Sequence, residues 1–323
     1  MRQIVAPYTC QLCHGLVAQI LFAFTPQKCC NNKERPFIIM RQLIIFTDLD
    51  GTLLDHDGYS IAGARAALER IRRKGIPLVF TSSKTRAEIE DLLKTLSLLQ
   101  PFIVENGGGL FFPSSFRLFD LSKLESAGPY RVRRFGASYA AIRRFVERHG
   151  PAFGARGFGD MTVDEVAALT GLTMRQASLA KEREFTEPFV CEGSVEAFRR
   201  LAESSDLAVT RGGRFYHLMG SGQDKGRAVR EAMEIWRAGG RKLVSIGLGD
   251  SPNDEPLLDN VDLPVLMPRA DGSFADLQVK KLLRAPLPGS SGWGAVVMEL
   301  LDALEEGSGV FSLKNAEKET GHG

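Results

Sequence analysis

Cysteine is nearly missing from the body of this chain: of five, Cys10, Cys13, Cys29 and Cys30 crowd the first thirty residues and only Cys191 lies beyond. An odd number so distributed is no disulfide framework, and it fits a reduced, cytoplasmic setting. Long hydrophobic runs are lacking too. The longest near the start, Gly15 to Phe24, is too short to span a bilayer. It makes a poor export signal, since one positive charge precedes it and no A-x-A-like cleavage site follows. Charge of one sign is also absent, because 41 Lys and Arg stand against 39 Asp and Glu for a formal balance of +2. That balance calls for neither a nucleic-acid nor a membrane partner, and it leaves the oligomeric state open.

At 323 residues, 44% of them apolar and 25% charged, the chain is an ordinary soluble globular composition with room for two domains. Residues 1–40 stand apart, rich in cysteine and broken by Pro26 and Lys33-Glu-Arg-Pro36, and read as an appendage that need not be native, with Met40 as an alternative start. Cys10-Gln-Leu-Cys-His14 has the spacing of covalent haem attachment, and Cys29-Cys30 could complete a zinc site. Haem attachment of that kind requires export, however, and adjacent cysteines are awkward zinc ligands. A metal or redox protein run from this segment is the remote alternative.

From Leu43 short apolar runs alternate with amphipathic helices, the pattern of an α/β protein whose strands are buried on both faces. Strands are expected at 43–47, 76–81, 102–105, 110–112, 243–247 and 263–266. Helices are expected at 62–74, ending at Gly75, then from the Thr85–Glu88 capping box to 96, at 225–237, after Asn253, and at 293–306. The stretch from Gly128 to Met219 breaks the rhythm. It carries a helix at 139–149, two short helices opened by capping boxes at Thr162–Glu165 and Thr173–Gln176, and a hairpin of 207–211 and 214–219 around Gly212-Gly213. The fold class is therefore α/β, a Rossmann-like parallel-sheet core with an inserted α+β domain. Core residues 41–127 and 220–306 enclose an insertion at 128–219, and a polar tail at 307–323 is expected to be disordered.

The chemistry gathers at strand ends, where parallel α/β sheets bind ligands. The first strand delivers Asp48 and Asp50, with Gly51-Thr52 turning the chain away. Two carboxylates so spaced project to similar sides and repel unless a cation or a shared proton intervenes. Magnesium, a hard ion preferring oxygen, answers this, and a carboxylate it holds can attack phosphorus while a neighbouring carboxyl handles protons. A second strand delivers Asp250, Asn253 and Asp254. Thr81-Ser-Ser-Lys84 follows another strand, and Lys225 opens a helix; a hydroxyl, a lysine and helix amides are what a phosphoryl group needs around its oxygens.

In this order the segments Asp48-Leu-Asp-Gly-Thr52, Ser82, Lys225 and Gly249-Asp-Ser-Pro-Asn-Asp254 resemble the four motifs of the haloacid dehalogenase superfamily of phosphatases. The resemblance implies Asp48 as nucleophile, Asp50 as acid and base, Ser82 as a phosphate donor and Lys225 as the neutralising cation. It implies magnesium held by Asp48, the backbone carbonyl of Asp50 and Asp250, with Asp254 supporting, and it makes the insertion a cap. A narrower similarity, to the mannosyl-3-phosphoglycerate phosphatases of that superfamily, rests on Phe80–Glu88, Pro101–Gly109, Lys181–Pro188, Gly212–His217 and Asp224–Arg227. It implies a small phosphorylated sugar-glycerate substrate; a phosphatase of glucosyl-3-phosphoglycerate or another sugar phosphate is the alternative. Thr52, Ser83, Lys84, Arg86, Asn106, Glu184, Arg214, His217 and Asn253 would then bind substrate. Glu184 and Glu187 read rather as ordinary surface acids, and Gly107–Gly109 equally as a plain turn. Strand alternation places Arg214 and Tyr216 on one face and Phe215 and His217 on the other, so at most one pair meets the site.

Overall fold

A computed structural model describes residues 41–56, 58–116, 120–212, 214–238 and 242–307. The N-terminal cysteines and His14, the alternative start at Met40 and the polar tail from 308 lie outside them. The chain runs through β1 (Arg41–Thr47), α1 (Arg65–Lys74), β2 (Leu78–Thr81), α2 (Arg86–Thr95), β3 (Phe102–Val104), β4 (Gly109–Pro113), β5 (Glu125–Ala127) and β6 (Tyr130–Arg134). Next come α3 (Tyr139–His149), β7 (Ala155–Gly157), α4 (Val163–Thr170), α5 (Met174–Lys181), β8 (Thr186–Cys191), α6 (Val195–Glu203), β9 (Leu207–Gly212) and β10 (Phe215–Gly220). It ends with α7 (Lys225–Arg237), β11 (Lys242–Gly249), α8 (Glu255–Leu258), β12 (Leu263–Leu266), β13 (Leu283–Arg284) and α9 (Gly289–Gly307).

Local chemistry explains the boundaries. The Thr85 hydroxyl accepts from Glu88 N and the Glu88 carboxylate from Thr85 N, closing the box that opens α2. Gly75, in the left-handed region at φ 63°, ends α1 as expected. Both capping boxes at Thr162 and Thr173 are formed. The expected strand at 102–105 stops at Val104 because Glu105 and Asn106 both turn to positive φ, 49° and 55°.

Nine strands form one sheet in the order β13-β12-β11-β1-β2-β3-β4-β6-β5. Its first six are parallel, and β4, β6 and β5 extend it antiparallel. Leu43 and Ile45 of β1 pack with Leu68, Ile71, Trp293 and Val297 from α1 and α9, while Ile44 and Phe46 pack with Val229, Ala232 and Trp236 of α7. A strand covered on both sides has no use for polar alternation, which is why β1 reads as an unbroken apolar run.

The boundary expected at 128 falls in the β5–β6 hairpin, which pairs with β4 and belongs to the large sheet. The three arginines of Tyr130–Arg134, where Val132 alone is fully buried, conceal that strand in the sequence. The chain leaves this sheet after Arg134. Strands β7 to β10 form a second sheet, ordered β7-β8-β10-β9, before α7 returns to the first. One face of the small sheet buries Phe189 and Leu218 against Phe145 and Phe198 of α3 and α6. The other carries Val190 and Phe215 against the α4–α5 hairpin.

Glu105 joins the two sheets. Its buried carboxylate accepts from Glu184 N at 2.7 Å, Phe185 N at 3.1 Å and Thr186 Oγ1 at 2.7 Å, on the segment that opens β8 of the small sheet. Its carbonyl accepts from Gln223 Nε2 at 2.7 Å, on the segment leaving it. One residue at the end of β3 therefore ties the start of β8 and the returning crossing to the sheet edge that holds the site.

Candidate active site

β1 lies between β11 and β2, so the expected meeting of the two aspartate clusters follows from register: Thr47 pairs with Leu248, and Asp48 N donates to Leu248 O at 2.9 Å. Thr47 is itself fixed by Trp293 Nε1 at 3.0 Å, and its hydroxyl donates to the Asp48 carbonyl at 2.7 Å. Gly51, at φ 74°, permits close approach, since a Cβ there would stand 2.8 Å from Asp250 Oδ2. Gly107, at φ 90°, does the same beside α7, where a Cβ would come within 2.1 Å of the Asp224 carbonyl.

Lys225, in the first turn of α7, is the electrostatic centre. Its Nζ donates to Asp48 Oδ1 and to Asp254 Oδ1, each at 2.6 Å, with no side-chain surface exposed. Burial opposes its charge, yet Asp254 and Asp48 outweigh that penalty and hold the ammonium above its ordinary value. Asp48 is pushed well above the carboxylate range by burial and by Asp254, against the opposing pull of Lys225. Asp250 is pushed up to about 7, again by burial first and Asp254 second.

Asp48, Asp250 and Asp254 bring one carboxylate oxygen each within 4.8 Å of one another, a set able to hold a metal ion. The raised proton affinities of Asp48 and Asp250 are the signature of negative charge awaiting a cation, and hard oxygen donors suit a divalent one. Asp254 is already engaged through both oxygens, since Oδ2 accepts from the amides of Asp250 and Ser251 and from Ser251 Oγ, each at 3.1 Å. It orients the loop and Lys225, while among the described residues nothing donates to Asp48 Oδ2 or Asp250 Oδ2.

Asp50 turns its carboxylate away from that trio to Lys84 Nζ at 2.9 Å, and its Oδ1 is buried without a partner. Thr52 Oγ1 donates to Asp250 Oδ1 at 3.4 Å. Ser82, buried at the end of β2, accepts from Lys84 N at 3.2 Å, which leaves its own proton available for a phosphate oxygen. Burial opposes the charge of Lys84, but Asp50 and Glu88 hold it protonated. Asn253 Nδ2 donates to Asn106 Oδ1 at 3.2 Å, linking the β11 loop to the turn after β3.

Other expected residues sit elsewhere. Arg86 donates to Glu184 at 2.6 Å and Glu90 at 2.9 Å, so Arg86 and Glu184 answer each other at the junction of the sheets. Arg214 precedes β10, where alternation does not govern it; it donates to the terminal carbonyls of α4, Leu169 at 3.3 Å and Thr170 at 2.5 Å, on an exposed edge. Glu187 is no surface acid. It is fully buried and bonded by Tyr139 Oη, Arg143 and Gly159 N. His217 is on the small sheet, its Nδ1 shut from solvent without a partner. Ser83 offers its carbonyl to Arg183 Nη1 at 2.9 Å. Neither Arg183 nor Glu105 was a sequence candidate. The Glu105-Asn106-Gly-Gly turn signal after an apolar strand was the one clue to the latter.

Comparison with known proteins agrees with this geometry. The sequence profile of haloacid dehalogenase-like hydrolases matches residues 45–115, the span from β1 to just past β4. A protein of Persephonella marina named glucosyl-3-phosphoglycerate/mannosyl-3-phosphoglycerate phosphatase is 44% identical over 268 residues, 82% of this chain and 99% of its own. A mannosyl-3-phosphoglycerate phosphatase of Pyrococcus horikoshii is 34% identical over 219 residues, covering 68% of this chain and 88% of its own. Among solved structures, a haloalkanoate-superfamily phosphatase from Bacteroides thetaiotaomicron superposes with a TM-score of 0.57 at 17% identity, over 84% of this chain and 99% of that one, which speaks for the fold alone.

Two outcomes follow from the buried charges. Lys225→Met leaves two carboxylates facing each other in the interior and lowers unfolding free energy by about 3–5 kcal/mol. Adding Asp254→Asn returns part of that loss, and a denaturant double-mutant cycle measures it; strict additivity would contradict the coupling. The second outcome concerns protons. A carboxyl titrating near 7 is largely protonated at pH 6 and must shed its proton to meet a cation. Divalent-cation binding at pH 6 therefore releases protons and strengthens as pH rises, levelling off above pH 8. Calorimetry in buffers of different ionisation enthalpy reads the release, and none at pH 6 would contradict the shift.

Proposed function

The chain belongs to the haloacid dehalogenase-like hydrolases and is a hydrolase of phosphoric monoesters; on that premise we propose that it removes the phosphate of mannosyl-3-phosphoglycerate, with glucosyl-3-phosphoglycerate as the second substrate. The observation that carries the reading is Asp48 itself. It is buried at a strand end, compensated by one ammonium, and has one oxygen free beside Asp250. The relatives support the substrate class, and their names cover both sugars.

Magnesium fits the oxygen donors of Asp48 and Asp250 together with the Asp50 carbonyl, and when bound it supplies charge neutralisation for the ester and the nucleophile. Asp48 attacks phosphorus through its free oxygen, forming an acyl phosphate as the P–O bond to the glycerate carbon chain breaks. Asp50 gives its proton to the departing alkoxide, then takes one from the water that attacks the acyl phosphate, which releases inorganic phosphate, frees the Asp48 carboxylate and leaves Asp50 protonated as it began. Lys225 holds Asp48 in line throughout, and Ser82 donates to a phosphoryl oxygen. Asp50 is ion-paired to Lys84 without substrate. Drawing Lys84 onto the anionic ester breaks that pairing and frees the Asp50 carboxyl for its part in the first step.

Among the described residues no helix is long and apolar enough to cross a membrane. Cys191, the one described cysteine, is a free thiol, which supports a cytoplasmic location.

The test is a panel of mannosyl- and glucosyl-3-phosphoglycerate with simple hexose phosphates, assayed for phosphate release with magnesium and after chelation. The two glycerate esters exceed the hexose phosphates at least tenfold in kcat/KM, chelation stops turnover, and Asp48→Asn abolishes it in a folded protein. Equal rates across the panel would refute the substrate assignment, and an active Asp48→Asn would refute the nucleophile.

A further inference from the structure

Arg183 and His217 are two polar side chains of the core–cap junction whose bonding capacity the fold leaves incomplete. Arg183 lies in the short crossing between α5 and β8, with 6% of its side chain exposed. Its Nε donates to Ala180 O at 2.8 Å and its Nη1 to Ser83 O at 2.9 Å, which fixes the guanidinium directly over the loop that carries Ser82. Glu88, at 3.9 Å from Nη2, is beyond hydrogen-bond reach. A guanidinium has five donors, so most of this one's remain available at a nearly buried position.

The sheet register shows where His217 looks. It pairs with Pro188 on β8 and Thr210 on β9, and residues opposite one another share a face. Thr186, two residues before Pro188, is on that same face, and its hydroxyl reaches Glu105 on the large sheet. The face bearing His217 is therefore the one turned toward the catalytic edge. β9, paired with β10, comes against Pro252–Asp254 of the aspartate loop. On this face the His217 Nδ1 is buried and unpartnered, and Arg183 is the charged group that acts on it. Burial, and then Arg183, push the imidazole down to about 3, so it is neutral at any working pH.

A neutral imidazole and an arginine with unused donors, both sheltered, complement a planar anion flanked by a hydroxyl. Arg183 is anchored one residue from Ser82, so the anion it receives must be joined to the phosphate by a short spacer.

We infer that Arg183 and His217 form the subsite for the carboxylate of the substrate, Arg183 gripping its oxygens through the open donors and His217 bonding a carboxylate oxygen or the adjacent hydroxyl. This assignment deepens the proposed function and rests on it for the identity of the substrate, but the recognition it describes needs only a carboxylate and a phosphate on one short carbon chain. The large acidic partners of Arg86 and the exposed position of Arg214 leave those two arginines committed elsewhere. Selectivity for phosphorylated glycerates over uncharged phosphate esters then resides at the junction between the domains rather than on the cap's outer strands.

The experiment compares 3-phosphoglycerate with glycerol 3-phosphate, which differ in the carboxylate and carry no sugar, alongside the sugar-phosphoglycerate. The readout is the ratio of kcat/KM for the two small esters in wild type, Arg183→Gln, Arg183→Lys and His217→Gln. Wild type prefers the carboxylate ester. Arg183→Gln cuts that preference by roughly 10- to 100-fold, chiefly through KM, the scale of hydrogen bonds to a charged group. Arg183→Lys, which keeps charge but loses the fork, restores part of it, and His217→Gln lowers it less. Absence of the preference in wild type, or its survival in both Arg183→Gln and Arg183→Lys, overturns the subsite. A wild type that shows the preference yet ignores sugar-phosphoglycerates would refute the substrate reading and leave the carboxylate subsite standing.

Discussion

Lys225 places one ammonium 2.6 Å from Asp48 and 2.6 Å from Asp254 in a site closed to solvent, and the neighbouring elements are arranged to keep it there. Two buried carboxylates without it would repel; with it, Asp48 keeps an oxygen open, as the proposed nucleophile needs, and Asp254 organises a loop. Holding three charges at that spacing requires β1 and β11 to be adjacent and in register, α7 to begin at the same sheet edge, and Gly51 and Gly107 to let backbones pass where a Cβ would collide. The Trp293–Thr47–Asp48 chain of hydrogen bonds extends the constraint to α9. The charge triad is still incomplete, because Asp250 retains its raised proton affinity, and that residual demand is what a divalent cation would meet.

A second constraint is mechanical. Glu105 binds the start of β8 and the crossing by which the inserted unit returns, and its neighbour Asn106 bonds Asn253 in the aspartate loop. The geometry of the small sheet is thereby referred to the catalytic edge through two consecutive residues with positive φ. Backbone strain of this kind persists where surrounding bonds over-determine it, and here four hydrogen bonds to Glu105 do so. Arg183, held on the Ser83 carbonyl, is carried by the segment that leads into β8. The residues proposed for substrate recognition and for phosphoryl chemistry therefore share one hydrogen-bonded frame.

Much of the core was legible in the sequence because its signals are local. An apolar run that delivers Asp48 and Asp50, a capping box at Thr85 and a glycine at 75 each announce themselves within a few residues, and the order of the four motifs resembles that of a known superfamily. Even so, the ends of the strands needed the structure: Glu105 reads as strand until its left-handed backbone is seen. The inserted unit was less readable for a physical reason. Arg214 looks like a substrate ligand until α4, more than forty residues earlier, is found to present its carbonyls, and Glu187 looks like a surface acid until Tyr139 and Arg143 enclose it. β6 hides behind its arginines because only Val132 faces inward. Arg183 gave no sign, since the role proposed for it depends on Ser83 and His217, which come to it only through the packing of the two sheets.

The account turns on Asp48 forming a bond to phosphorus. Its most direct test is the stereochemical course of hydrolysis on an ester whose phosphoryl oxygens are made chiral with isotopes, carried out by the enzyme in labelled water. Transfer to Asp48 and then to water is two in-line displacements, each inverting, so the account predicts overall retention of configuration at phosphorus. Overall inversion would mean a single direct attack by water and would contradict it.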